Sequence, residues 1–145
     1  MKIRPIEETD YEELISMFKE FATFQKMPDK MINSVEQMTT ESIYLTGFVV
    51  ENDSGRLIGY ATYFYAYFTW IGKSLYMDDL YVKPEYRRKG LGQKLIESVI
   101  NKAKTDNCKK VRWQVSEWNQ NAIDFYKRIG AKVDNTESNC DYWLI

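Results

Sequence analysis

Residues 85–95 read EYRRKGLGQKL, with Arg87, Arg88 and Lys89 directly ahead of Gly90 and Gly92. From Gly90 to Lys104 apolar residues recur at helical spacing (Leu91, Leu95, Ile96, Val99, Ile100, Ala103), which predicts an amphipathic helix. Its first turn is poorly made for a helix alone. Each glycine costs about 0.8–1 kcal/mol relative to alanine, and cations precede a helix start whose partial positive charge favours acids. A bound anion removes both objections. A strand, a glycine-containing turn and a helix start present free backbone N–H groups to a phosphate or pyrophosphate. Glycine keeps a Cβ out of the anion's way and the cations add charge. The same two glycines would also allow close packing of helix on sheet, and the residues alone leave both readings open. Neither GxxxxGK[ST] nor GxGxxG is present, which disfavours the ordinary nucleotide folds.

The chain has no histidine. That excludes Ser-His-Asp and Cys-His nucleophiles and histidine-ligated metals. Proton transfers would fall to carboxylates, tyrosine, lysine, cysteine or water. Asp78 and Asp79 are adjacent in a strand pattern, so alternation would point them to opposite faces, with one at most facing a substrate. Cys108 and Cys140 form no CxxC pair and suggest neither a disulfide framework nor a zinc site; no metal is expected. Residues 1–53 hold 5 Lys/Arg against 11 Asp/Glu, and residues 83–110 hold 9 against 3. One end suits a cation and the other an anion, or both are simply solvated faces.

These residues need elements to hold them. With 145 residues the chain is expected to be one domain, 1–145, able to bury about two thirds of its unfolded surface. KIRPI reads as a strand; Thr9 with Glu12 predicts a capping box for a helix presenting Leu14, Ile15, Phe18 and Phe21. Ser34 with Gln37 starts a second helix. FVVEN and LIGYATYFYAYF, joined by a turn, make a hairpin, followed by SLYMDDLYV, which Pro84 closes. After the glycine-started helix come a strand KVRWQVS, a helix Asn119–Ile129 closed by Gly130, and a strand pair, Ala131–Val133 and Cys140–Ile145. This order predicts an α+β fold, an α/β sandwich with one mixed sheet. No signal-peptide core or bilayer-length apolar run is seen, so a soluble, cytoplasmic protein is expected, with no membrane or nucleic-acid partner.

RRKGLG fits the [Q/R]xxGx[G/A] pyrophosphate loop of the GNAT superfamily of acetyl-CoA-dependent N-acetyltransferases. LYMDDLYVKPEYRRKGLG together with VSEWNQNAIDFYKRIGA, with WIGK upstream, resembles the diamine and thialysine acetyltransferase branch over nearly the whole chain. The resemblance implies a mixed, mostly antiparallel sheet of about six to seven strands with about four helices. It implies that Leu80, Tyr81 and Val82 pair with the pantetheine arm of acetyl-CoA. Arg87, Arg88, Lys89, Gly90, Leu91, Gly92 and Gln93 would wrap its pyrophosphate. Arg112, Trp113 and Gln114 would lie along the cofactor, with Asn119 capping the helix beside it. Tyr126 matches the acid that protonates the thiolate, and Asp78 the base, acting directly or through water. Gln25, Trp70 and Asp79 are assigned to the substrate, and a homodimer is expected.

The chemistry asks for such groups on its own account. A primary alkylamine near pKa 10.4 is only about 0.04 per cent neutral at pH 7, and only the neutral form attacks a thioester. The leaving thiolate, near 8.5 by analogy with cysteine, can take a proton from a phenol near 10. Acids that the polyamine-acetylating members carry near Gln25 and Phe68 are missing here, which favours a compact amino acid or short diamine. The alternatives are acetylation of a protein or peptide amine, and a non-catalytic acyl-CoA-binding module.

Overall fold

The computed structural model describes residues 1–145. It divides into two compact units, Met1–Trp113 and Gln114–Ile145. The first carries a five-stranded sheet in the order β1-β2-β3-β4-β5: β1 Lys2–Pro5, β2 Thr46–Glu51, β3 Leu57–Phe68, β4 Gly72–Val82 and β5 Val111–Arg112. Strands β1 to β4 pair antiparallel, and β5 joins β4 in parallel. Helices α1 (Tyr11–Phe24) and α2 (Val35–Thr40) lie between β1 and β2 in sequence, and α3 (Leu91–Thr105) between β4 and β5.

Each sheet face is filled by the helix whose apolar stripe the sequence predicts. On one face Leu14, Ile15 and Met17 of α1 cluster with Val49, Tyr60 and Tyr81. On the other, Leu95, Ile96 and Val99 of α3 are fully buried, and a Cβ built on Gly59 of β3 would lie 3.5 Å from Leu95. Burying side chains of this kind contributes roughly 1.5–3 kcal/mol each.

The entry to α1 differs from expectation. The capping box is formed by Glu7 and Asp10, not by Thr9 and Glu12, around a 3-10 turn at Glu8–Asp10. Asp10 is claimed by a stronger partner. Arg4 of β1 grips it with two bonds of 2.8 and 2.9 Å and reaches Glu51 of β2 through Nε at 3.3 Å. Burial alone would lift the Asp10 carboxyl, but the guanidinium and the Glu7 N–H more than reverse this and hold it below the ordinary value. Asp10→Ala is therefore expected to cost about 2 kcal/mol, because it removes a charge-assisted, two-bond partner from a largely buried guanidinium that keeps only Glu51 and the Pro5 carbonyl; urea denaturation at pH 7 checks this. With its folded value depressed, Asp10 contributes stability above about pH 3.9 and loses it as pH falls further.

Where an α-helix ends, three of the four close the same way. The αL position is filled by Lys26 after α1, Asn107 after α3 and Gly130 after α4 (Gln120–Arg128). The N–H groups of Met27, Cys108 and Ala131 reach back to the carbonyls of Ala22, Ala103 and Tyr126, the Schellman arrangement. Ser34 caps α2 by accepting from Gln37 N, as its spacing predicts.

The second unit holds α4 and no strand. The predicted strand pair Ala131–Val133 and Cys140–Ile145 is not formed, and KVRWQVS is a strand only at Val111–Arg112, so the sheet has five strands and not six or seven. Tyr142, Leu144 and Ile145 are 92 %, 90 % and 87 % exposed. A short apolar run becomes a strand only where a ladder and a packed face receive it, and here neither does.

Candidate active site

The first unit builds two features side by side on β4. Pairing with β5 is confined to Leu75↔Val111 and Tyr76↔Arg112, while β4 runs on to Val82. From Met77 to Val82, including Leu80 and Tyr81, the edge away from β3 has no strand partner. A stretch of unpaired strand edge is a template for an extended amide-bearing ligand.

Beyond Pro84–Tyr86 the chain turns sharply. Arg88 (φ 64°) and Gly90 (φ 77°) are both left-handed, and α3 begins at Leu91 with Gly90 as N-cap. A glycine cap has no side chain to satisfy the first-turn N–H groups. The packing explanation of the glycines fails here. A Cβ at Gly90 or Gly92 would meet nothing within 4 Å, so neither glycine makes room for a neighbouring part of the protein. What they keep clear is open space above bare amides, a cradle that suits an anion. Arg88 and Lys89 are exposed beside it. Arg87, in contrast, turns back: its Nε donates to Val82 O at 2.8 Å and its guanidinium packs over Phe24 and Tyr81. Its side chain ties the loop to β4 and α1. The side chain of Gln93 donates to Glu97, which leaves Gln93 its backbone N–H to offer.

The carboxylates are placed by a β-bulge. Thr62 opposes Asp79 and Tyr63 opposes Met77, so Asp78 is a surplus residue in the ladder. Counting by alternation from Tyr76 puts Asp78 on the face that carries Tyr60 and Tyr81, and counting back from Tyr81 puts Asp79 on that same face. The expectation of opposite faces is thus corrected: the slip brings both carboxylates to one side. Asp78 reaches solvent, yet protein surrounds it closely enough that lost hydration lifts its carboxyl above the ordinary range. Asp79 is half-buried; burial and the neighbouring Asp78 raise it to about 7, against a lowering hydrogen bond from Tyr60. Sequence reasoning missed Tyr60, whose hydroxyl donates to Asp79 Oδ2 at 3.2 Å. It also missed Glu20 of α1, which accepts from Tyr81 Oη at 3.0 Å and pairs with Lys83 at 3.6 Å. Glu20 lies three residues after Met17 and four before Phe24, on their helical repeat, and could have been sought there; Tyr60 had no signal apart from β3's register.

Of the remaining predicted residues, Gln25 is the C-cap of α1, and Arg112 of β5 lies over the Phe68 ring at 4.5 Å. Trp70 is 98 % exposed in the β3–β4 turn, about 20 Å along β4 from Asp78, and the structure does not bring it to the carboxylates. Trp113 closes the first unit. In the second, Gln114 bonds Asn139 at 2.7 Å, and Asn119 caps α4 by accepting from Ala122 N at 3.2 Å. Tyr126 of α4 is buried, and burial pushes its phenol up to about 12. No group of three or more His, Cys, Asp or Glu side chains converges as metal ligands would, and no helix is long and apolar enough to cross a membrane.

The chain is similar to known proteins in sequence and in fold. Residues 9–131 match the model of the acetyltransferase (GNAT) family. The chain belongs to that family. Thialysine N-epsilon-acetyltransferase of Sus scrofa is 33 % identical over 94 % of this chain and 86 % of its own length. The Caenorhabditis elegans protein of the same name is 35 % identical over 81 % and 74 %. Among solved structures, an aminoglycoside acetyltransferase from an uncultured soil metagenomic sample superposes with a TM-score of 0.81 at 21 % identity, covering 99 % and 96 % of the two chains. This GNAT protein is accordingly an N-acetyltransferase, of a family that takes acetyl-CoA as co-substrate. The cradle at Gly90 and Gly92 fits that molecule's diphosphate on chemical grounds: bare N–H donors, no Cβ and two exposed cations, one of them, Lys89, resting over the Tyr86 ring.

Proposed function

We propose that the protein acetylates a primary amine of a small cationic substrate, a thialysine-like amino acid or a short diamine, by direct attack in a ternary complex. The observation that carries this reading is the bulge-made pair of carboxylates beside the open β4 edge, a site with negative charge for an ammonium group and a base for its proton. The names of the relatives at 33–35 % identity support the same substrate class.

When bound, acetyl-CoA supplies a thioester carbonyl to the amine. The amides of Leu91, Gly92 and Gln93 hold its diphosphate, with Arg88 and Lys89 adding charge, while the backbone of Leu80, Tyr81 and Val82 aligns the arm. Asp78 removes the amine's proton, directly or through water. Tyr126, protonated at neutral pH as any phenol is and held so more firmly by burial, donates to the departing sulfur. Asn119 holds the start of the helix that carries Tyr126. The working assembly is a homodimer by analogy with the branch.

A CoA-release assay over thialysine, lysine, putrescine, spermidine and a lysine-containing peptide tests the proposal. Turnover on a free amine, strongest for the compact ones, is expected. Turnover confined to the peptide would replace the small substrate by a protein, and none at all would leave only a binding module.

A further inference from the structure

We propose that Tyr60 is a positioning residue for the carboxylate pair: its buried hydroxyl, held on Oδ2 of Asp79, leaves Oδ1 as the oxygen on which Asp79 takes up the amine's proton and steadies the charged carboxylate so that the proton is released again. This rests on the amine-acetylating reading above and completes its proton path.

The geometry leaves Tyr60 little choice. The residue is fully buried, and its ring packs edge-on against Phe18 at 5.0 Å, so the hydroxyl cannot swing to water. Burial and then Asp79 hold its own proton in place, so it donates throughout and never serves as the base. A carboxyl with one oxygen fixed as acceptor receives a proton on the other. Of the two aspartates, Asp79 is the more enclosed, and two like charges on one sheet face resist full ionisation together. The remaining charged or titratable groups on this face are otherwise engaged, Arg112 of β5, opposite Tyr76, lying over the Phe68 ring. Glu20 of α1 is bound by Tyr81 Oη and Lys83, Arg87 lies over the Tyr81 ring, and Tyr76 of β4 stacks on Phe64 of β3. The Asp79 N–H, meanwhile, is directed to Thr62 Oγ1 at 3.3 Å.

The step balances. The ammonium N–H bond breaks with its electron pair left on nitrogen, and an O–H bond forms at Asp79, directly or by way of Asp78 or water. The neutral amine attacks, and Asp79 later returns the proton to solvent. From an amine near 10.4, transfer to an ordinary carboxylate near 3.9 is uphill by about six and a half powers of ten. To one at about 7 it is uphill by only about three and a half.

Tyr60→Phe removes the donor and nothing else, so the Asp79 carboxylate loses support and its proton affinity should rise about tenfold, a midpoint about one pH unit higher. The test is a pH titration, from 4 to 9, of 13C-labelled aspartate carboxyls by NMR in the full chain, comparing wild type, Tyr60→Phe, Asp78→Asn and Asp79→Asn. Expected are a neutral-range transition in wild type, its upward displacement in Tyr60→Phe and its disappearance in Asp79→Asn. A midpoint that stays or falls in Tyr60→Phe, or a neutral-range transition that survives Asp79→Asn, overturns the proposal; should Tyr60→Phe not fold, the Asp79→Asn outcome decides. Neither result depends on turnover. The acid limb of kcat/KM for thialysine should follow the same midpoint, and a limb that stays fixed in Tyr60→Phe also overturns it. Inertness toward every amine in the panel would overturn the acetylation reading, and with it the amine as proton source, whatever the titration gives.

Discussion

Gly92→Val is expected to weaken acetyl-CoA binding by at least about 100-fold while leaving thermal stability unchanged or slightly higher. The two effects separate because of where the residue stands. Gly92 lies within the first turn of α3 with ordinary helical backbone, and a Cβ there meets no other part of the protein. Replacing glycine at a helical position removes a propensity penalty of several tenths of a kcal/mol. The added methyls instead fill the space over the bare amides of the helix start. Hydrogen bonds to a charged acceptor contribute about 1.5–3 kcal/mol each, so losing two exceeds the roughly 2.7 kcal/mol that corresponds to 100-fold. Gly90 makes a poorer probe, since its φ of 77° would strain any side chain and confuse folding with binding. Calorimetric titration with acetyl-CoA, alongside a thermal melt, reads both quantities. Undiminished affinity in a folded variant would place the diphosphate elsewhere.

Tyr126→Phe is expected to lower kcat by about 10²- to 10⁴-fold, the usual range for removing a general acid, with acetyl-CoA affinity nearly unchanged. The substitution keeps the ring, which makes contact with Phe125 at 5.4 Å, and removes the donor. Because burial holds the phenol at about 12, it is protonated across the range in which the enzyme can be assayed. The wild-type kcat profile should therefore show no basic limb from this residue below about pH 11. A raised value also makes the phenol a weaker acid, so its contribution lies in a placed proton more than in driving force. Single-turnover and steady-state rates at saturating acetyl-CoA check the prediction; full kcat in the variant would hand the proton to water.

Much of the fold was legible because its periodicities are local. The stripe Leu91, Leu95, Ile96, Val99 gave α3 to within a residue of its observed ends, and the apolar run 57–68 coincides with β3. Ser34, Asn119 and Gly130 cap or close their helices as their residue types require. The failures lie where a distant partner decides. Asp10 was not recognised as a cap because its competitor, Arg4, acts from another element. The C-terminal run 142–145 is apolar enough for a strand but has no ladder to join. The cofactor cradle could be read from sequence because glycine, cation and helix start are contiguous. The orientation of the aspartates could not, since a one-residue slip against β3 reverses a side-chain face without altering composition. Tyr60 lies 19 residues from Asp79 in the chain, and only the pairing of β3 with β4 joins them.

That slip also divides labour along β4. Gly72–Met77 and Asp79–Val82 each keep an unbroken ladder with β3, and Asp78 belongs to neither. The acidic chemistry is thus carried by an insertion in the weave and not by a compromise in its packing, so the hydrophobic demands on the strand and the polar demands on the site can vary independently. A shape of this kind gives a lineage freedom to retune what the pair of acids receives without unpicking the sheet that presents it.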